Sequence, residues 1–369
     1  VLITYLTVEG VFSYLYVTHR IGVSVIRLHE RTDPGGNIQR DPVKGFRLSS
    51  VPSRLILATT RGEVLSQGTL AGNDEGFSDR LDFGSRMLPG TRRFVVLGDS
   101  MTAGRFIEVN WPERVNEWLA TQAGPPVVLM NMGLDGGGLG NWRTLLEHFF
   151  TEDGPEIDGV IFAVACDDLD RKHLWWDDSL VQRNGVGVMA LTYHPTWNYR
   201  PRPFVPADHY PINDWWMIVS PGELDAFLEG TWHPPRQEHP FNLYLLNQAV
   251  ELLNQIGFGV GGIASADAST EGREYDELVA WIRHDIAERK IPALVLEVPG
   301  TDSARAQQFA MAVGADHLSV SRGFDEAKAG CDSCYKIRYD GHWNQEGSDL
   351  FARVVRGELR RWAIGHGVP

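Results

Sequence analysis

Phe94-Val95-Val96-Leu97-Gly98-Asp99-Ser100 runs four apolar positions straight into a glycine, an acid and a serine. A short apolar run bounded by turn residues reads as a strand buried on both faces, the kind parallel sheets contain. The same grammar continues downstream. Trp111 to Ala123 has helical spacing, opened by Pro112 at a first-turn position. Val127 to Met130 reads as a second buried strand, Trp142 to Phe150 as a helix and Val160 to Val164 as a third strand. Further on come helices at Leu243 to Ile256 and Tyr275 to Arg289, a strand at Ala293 to Val298, a helix at Ala304 to Val313 and a last helix from Gln345 to Trp362. Strands alternating with helices predict an α/β fold, a three-layer sandwich with a central, mainly parallel sheet.

The composition is compatible with that prediction. The chain has 369 residues, 43% of them hydrophobic, enough for one large domain or two ordinary ones with a sizeable core. Acidic side chains outnumber basic ones by 48 to 34, a net charge of −14. Such a field repels phosphate backbones and anionic headgroups, so nucleic acid is not an expected partner. Three cysteines make neither a four-ligand zinc site nor the disulfide framework of a small secreted scaffold.

Three stretches stand outside the alternation. Val1 to Thr18 carries one charge, Glu9, and is otherwise apolar, aromatic or hydroxylic. As a helix it spans roughly 27 Å, just short of a bilayer core, so residues 1–28 are expected to be the end of a transmembrane helix and a linker, with more chain upstream of Val1. A charged Glu9 facing lipid would cost about 2.5–3.5 kcal/mol, so it should be protonated or face a partner helix. The competing readings are a buried strand or an interfacial helix. Residues 29–92 are polar and turn-rich, with short apolar pieces such as Arg54-Leu55-Ile56-Leu57, a strand-and-loop entry region. Residues 170–240 hold six of the twelve Trp and nine of the twenty Pro, which forbids long helices and predicts an ordered insertion folded over the sheet edge.

A serine placed directly after a buried strand, on a glycine-containing turn, lies at the carboxyl end of a parallel sheet, where α/β folds put their sites. It becomes a nucleophile only when a base removes its proton. Among twelve His, one stands out in Asp340-Gly341-His342-Trp343-Asn344, on a loop leading into the final helix. Asp340 is close enough in sequence to orient the His342 imidazole, the arrangement that activates a serine.

With these residues the sequence resembles the SGNH/GDSL hydrolase superfamily over about residues 93 to 369, interrupted by the insertion. The first block is Phe94 to Ser100, the second Asn131-Met132-Gly133-Leu134-Asp135-Gly136, and the last Asp340 and His342 with Trp343-Asn344 and Gly347. The resemblance implies a flavodoxin-like α/β fold and catalytic Ser100, His342 and Asp340. It also implies an oxyanion site built from the backbone N–H groups of Ser100 and Gly136. Upstream, Asp41-Pro42 with Gly45-Phe46-Arg47, and Asn73 with Gly76-Phe77, look like the leader of membrane-anchored, extracytoplasmic members.

Two departures from the family pattern matter. One residue separates the last-block acid and base where the family often has two. The third block, normally G-x-N-D with the Asn amide donating to the oxyanion, is Ala165-Cys166-Asp167-Asp168. Asp167 thus replaces a donor with a group that, when ionised, only accepts. Two unit charges about 4 Å apart at an effective dielectric of about 20 repel by roughly 4 kcal/mol, enough to cancel one oxyanion donor. Either Asp167 is protonated, or another group donates, Asn131 and Asn141 being the nearest amides, or acyl transfer is weak.

The function expected is therefore a serine esterase or carbohydrate O-acyltransferase-like protein working through an acyl-serine. It would be membrane-anchored with its globular domain in the periplasm or outside the cell, and its substrate an acyl ester or carbohydrate. The alternative is a catalytically weak or inactive accessory subunit of a membrane complex, with other transmembrane subunits as partners. Cys331 and Cys334 could form a local disulfide, remain free or pair with Cys166. The insertion His residues (173, 194, 209, 233, 239) show no ligand spacing, so neither a metal nor a cofactor is expected.

Overall fold

The computed structural model describes residues 25–32, 38–41, 44–59, 62–84, 89–149, 157–165, 167–171, 174–176, 191–193, 216–232, 268–328, 330–338 and 340–366. The expectations for Val1–Thr18, for a helix at Leu243–Ile256 and for Cys166 lie outside them. Among the described residues no helix is long and apolar enough to cross a membrane.

Thirteen strands are described: β1 Val25–Glu30, β2 Ile38–Asp41, β3 Gly45–Leu48, β4 Ser53–Thr59, β5 Val64–Leu70, β6 Arg92–Gly98, β7 Val127–Gly133, β8 Gly159–Val164, β9 Leu174–Trp176, β10 Leu191–Tyr193, β11 Trp216–Val219, β12 Ala293–Glu297 and β13 Asp316–Ser319. The helices are α1 Ser100–Ala103, α2 Trp111–Leu119, α3 Leu139–Phe149, α4 Pro221–Leu228, α5 Ala268–Arg289, α6 Ser303–Val313, α7 Ser321–Ala327 and α8 Gln345–Gly365.

The central sheet has the order β13-β12-β8-β6-β7, every pairing parallel. Numbered along the chain this is 2-1-3-4-5, the flavodoxin-like order, whose direction reverses between β6 and β8. Alternation along each strand divides two cores. Phe94, Val96, Leu129, Ile161 and Leu296 face α2, α7 and α8, where Trp111, Phe324 and Phe351 pack. Val95, Leu97, Met130, Phe162 and Val295 face α3, α5 and α6, where Trp142, Ile282 and Phe309 pack. Helices on both sides of a parallel sheet make the expected three-layer α/β sandwich.

β13 and α7 were not legible in the sequence. Asp316–Ser319 is a half-exposed edge strand without an apolar run. Among the described residues β13 pairs with β12 alone, and a single apolar side chain, Leu318, packs half-buried against the core.

β1, β4 and β5, with β11 from the insertion, form a second sheet of order β11-β1-β4-β5. Val25–Leu28, expected to be linker, are strand, because Ile26 and Leu28 bury against Ile56, Val219, Leu224 and Phe227 under α4. The opposite face, with Leu55 and Leu57, joins the same core as Val95 and Leu97. The end of the insertion, residues 216–228, therefore completes this second sheet and covers it, rather than folding over an edge of the parallel sheet as expected.

The leader motif does structural work here. Lys44 is buried, its ammonium donating to the Glu75 carbonyl and lying over the Phe77 ring at 4.9 Å. Asn73 Oδ1 accepts from the Phe77 N–H at 3.0 Å, and Leu48 N–H donates to Gly76 O at 2.9 Å. These contacts pin the β2–β3 hairpin to the 73–77 turn.

Candidate active site

Ser100 stands where the strand order reverses. β6 is buried through Phe94–Leu97 and ends at Gly98, and Asp99 caps α1 by accepting from Met101 N–H at 2.8 Å. The turn is tight at two glycines. A Cβ on Gly98 would lie 2.2 Å from Thr102 Oγ1, and one on Gly133 would lie 2.5 Å from the Ala103 backbone nitrogen. At Gly133 the obstacle is backbone and cannot swing aside. Gly133→Ala should therefore cost about 1–3 kcal/mol, read as a lower thermal midpoint, whereas Gly222→Ala, in a helix with open space around it, should not lower the midpoint.

The base arrives from the far end of the chain. Ile337 N–H donates to His342 O at 2.7 Å, Lys336 bridges to Trp343, and Asn344 caps α8 by accepting from Gly347 N–H at 2.9 Å. Trp343 packs on Phe351 with ring centroids 4.7 Å apart. So anchored, His342 Nε2 lies 2.8 Å from Ser100 Oγ, and Asp340 Oδ1 is hydrogen-bonded to His342 Nδ1. The single residue between acid and base suffices because Gly341, at φ +89°, takes a left-handed turn that presents both side chains to one side. Cys331 and Cys334 form a disulfide immediately before this loop, and Cys334 O accepts from the Asn344 amide at 2.8 Å.

Asp340 has no exposed side-chain surface. Burial opposes its charge, but the hydrogen bond and charge of His342, together with Arg27, outweigh burial and bring the carboxyl down to about 2. Arg27, on β1, donates from Nη2 to Asp340 Oδ2 at 2.7 Å. The Phe106 and His342 rings stand steeply inclined to each other, at 73° with centroids 6.4 Å apart.

The third block lies beyond β8, across the reversal point. Asp167 is exposed and its Oδ1 accepts from Arg171 Nη2 at 2.7 Å. The same guanidinium reaches Asp99 Oδ2 at 3.2 Å, Asp168 Oδ1 at 3.0 Å and Gly137 O at 3.3 Å. Arg171 therefore gathers the serine turn, the glycine turn and the third block around one cation. Asp168 is fully buried, and burial followed by the charge of Asp99 raises its pKa well above the usual range, against the pull of Arg171. Gly136 sits in the turn after β7 at φ +74°.

Neither Asn131 nor Asn141 can stand in as the missing amide donor. Asn131 Nδ2 donates to Ser78 O and Thr102 O, and Asn141 Nδ2 donates to Leu174 O. Both amides are buried and committed to backbone carbonyls. Sequence reasoning missed Arg27 and Arg171. An arginine four residues after Asp167 was a readable signal, but Arg27 is 313 residues from its partner and left none. Among the described residues no group of three His, Cys, Asp or Glu side chains is disposed to hold a metal ion.

No family model and no curated protein matches the sequence. Solved structures similar to the chain include a two-domain esterase active on acetylated mannans, with 13% identity and a TM-score of 0.35 over 76% of this chain and 51% of that one. An acetylxylan esterase from Geobacillus stearothermophilus has 12% identity and a TM-score of 0.36 over 74% and 96%. The esterase EstA from a Pseudoalteromonas species has 11% identity and a TM-score of 0.37 over 73% and 98%.

Proposed function

We propose that the protein is a serine hydrolase that cleaves carboxylic esters through an acyl–Ser100 intermediate. One observation carries the reading: Ser100 Oγ, His342 and Asp340 form a continuous hydrogen-bonded chain at the carboxyl end of the parallel sheet. With Nδ1–H donated to Asp340, His342 Nε2 is left to take the Ser100 proton as Oγ attacks the ester carbonyl. The tetrahedral intermediate collapses, the C–O bond to the alcohol breaks, and His342 returns the proton to the leaving oxygen. A water, or a sugar hydroxyl if the protein transfers acyl groups, then attacks the acyl-serine by the same proton route in reverse. We assign the oxyanion to the N–H groups of Ser100 and Gly136. Ser100 lies at the first position of α1, where helical N–H groups lack intrahelical acceptors.

The assembled triad favours this reading over an inactive accessory subunit. A site facing out of the cytoplasm is supported by the Cys331–Cys334 disulfide, since such bonds persist in oxidising compartments. Attachment to a membrane would rest on Val1–Thr18.

A fluorophosphonate probe tests the proposal. It should label the wild-type chain at pH 7–8 on a peptide containing Ser100 and leave Ser100→Ala unlabelled. A folded wild-type protein that takes up no probe would remove the hydrolase reading.

A further inference from the structure

We propose that Arg27, carried to the site by the second sheet, is a positioning residue for the triad, its guanidinium holding Asp340 Oδ2 so that Oδ1 stays on His342. The inference rests on the serine-hydrolase reading and extends the machinery to a strand outside the parallel-sheet domain.

The period of a strand explains how the residue arrives. Ile26 and Leu28 point into the small core under α4, so Arg27 and His29 point to the other face. Arg27 is in register with Leu57, which lies in the core shared with β6 and β7. The sheet is held against the parallel-sheet domain at two further places. Ser66 Oγ donates to Phe106 O at 2.8 Å, and Gly68 lies so close that a Cβ there would stand 2.6 Å from Ile107 O. Arg27 therefore enters from a docked platform.

The charges around Asp340 come from three elements. His342 faces it from its own loop, Arg27 from β1, and Arg105 from the segment after α1. Arg105 is buried and paired with Asp135, and its pKa is brought well below the usual value by burial and then by Arg27, with Asp340 acting the other way. His29, beside Arg27 on the same face, bonds to Ser53 at 3.0 Å, and burial followed by the charge of Arg105 lowers its pKa to about 3. It adds no charge at neutral pH. The set thus balances two guanidinium groups against two carboxylates before His342 takes a proton. A carboxylate with one oxygen on a guanidinium and the other on an imidazole can neither rotate away nor slide, and a charge-assisted contact of this kind is stronger than a neutral one.

The test uses the full chain with carbon-13-labelled aspartate and three variants: Arg27→Met, Arg27→Lys and Arg54→Met. Arg54 belongs to the same sheet but pairs with Glu30 and Asp225, so its loss loosens the sheet without touching Asp340. In the wild type the Asp340 carboxyl signal, identified by its loss in Asp340→Asn, should stay ionised down to pH 3, given its pKa of about 2. In Arg27→Met its midpoint should rise by about one pH unit, and kcat on an aryl acetate should fall about tenfold with KM unchanged. Arg27→Lys should recover part of both effects, a point charge replacing the fork. Arg54→Met should change neither.

An Asp340 midpoint that does not move in Arg27→Met, or equal losses in Arg54→Met and Arg27→Met, would overturn the proposal. If the wild type neither turns over nor takes up phosphonate, yet Arg27→Met still shifts the Asp340 midpoint, the hydrolase reading falls and the hold of Arg27 on Asp340 stands.

Discussion

Asp340→Asn is expected to lower kcat on an aryl acetate by about 10⁴, with little change in KM. The size follows from the tautomer. Asp340 Oδ1 accepts from His342 Nδ1, which leaves Nε2 free to accept the Ser100 proton 2.8 Å away. An asparagine amide turned toward Nδ1 donates instead, stabilises the opposite tautomer and puts a hydrogen on Nε2, where it faces the Ser100 hydroxyl. Turning the amide the other way would aim its NH₂ at Arg27, donor against donor. The first orientation keeps both hydrogen bonds at the cost of the productive tautomer, whereas the second loses one in a site with no exposed acid surface, so the first should prevail. Some stability should go with the activity, because Arg27 is left without its carboxylate there. Turnover and phosphonate-labelling rate, measured on protein whose circular dichroism matches the wild type, separate the two. A folded Asp340→Asn protein within tenfold of wild-type kcat would show that Asp340 does not set the tautomer.

Asp167→Asn should work in the opposite direction, raising kcat by about 10². Asp167 occupies the third-block position beyond β8, across the reversal point from Ser100, and its side chain is exposed. Arg171, 2.7 Å from its Oδ1 and also bonded to Asp99, offsets much of the charge that an oxyanion would meet. The gain should therefore come chiefly from the new amide donor, a contact typically worth about 10²–10³ in rate. Asparagine is nearly isosteric, so the fold should be unaffected. Equal kcat values for the two proteins between pH 5 and 8 would show that position 167 does not address the oxyanion.

Much of this arrangement was legible in advance because it is written in short-range patterns. The Phe94–Ser100 run announced a buried strand followed by a turn, and β6, Gly98 and Ser100 are where that run put them. The Asp340–His342 pair was readable as acid beside base, and Gly341 supplies the positive φ that a one-residue spacer needs. Helices α2, α5, α6 and α8 follow their apolar spacing to within a few residues at all but one end, the start of α5. The 25–70 segment was harder. Its strands alternate, but their apolar faces are divided between α4 and the shared core, and neither partner is near in sequence.

The sequence by itself determined the α/β alternation, the serine after the first strand of the central sheet and the acid–base pair before the last helix. Each of these is encoded within about ten residues, as the period of a strand, the cap of a helix or the φ freedom of a glycine. The tertiary structure alone decided that Ser100 and His342 meet, that Asn131 and Asn141 are spent on carbonyls, and that Asp340 faces Arg27. The physical reason is the nature of an ion pair: it depends on distance and burial, leaves no periodicity in either the strand or the loop, and so cannot be read until packing brings Arg27 to Asp340.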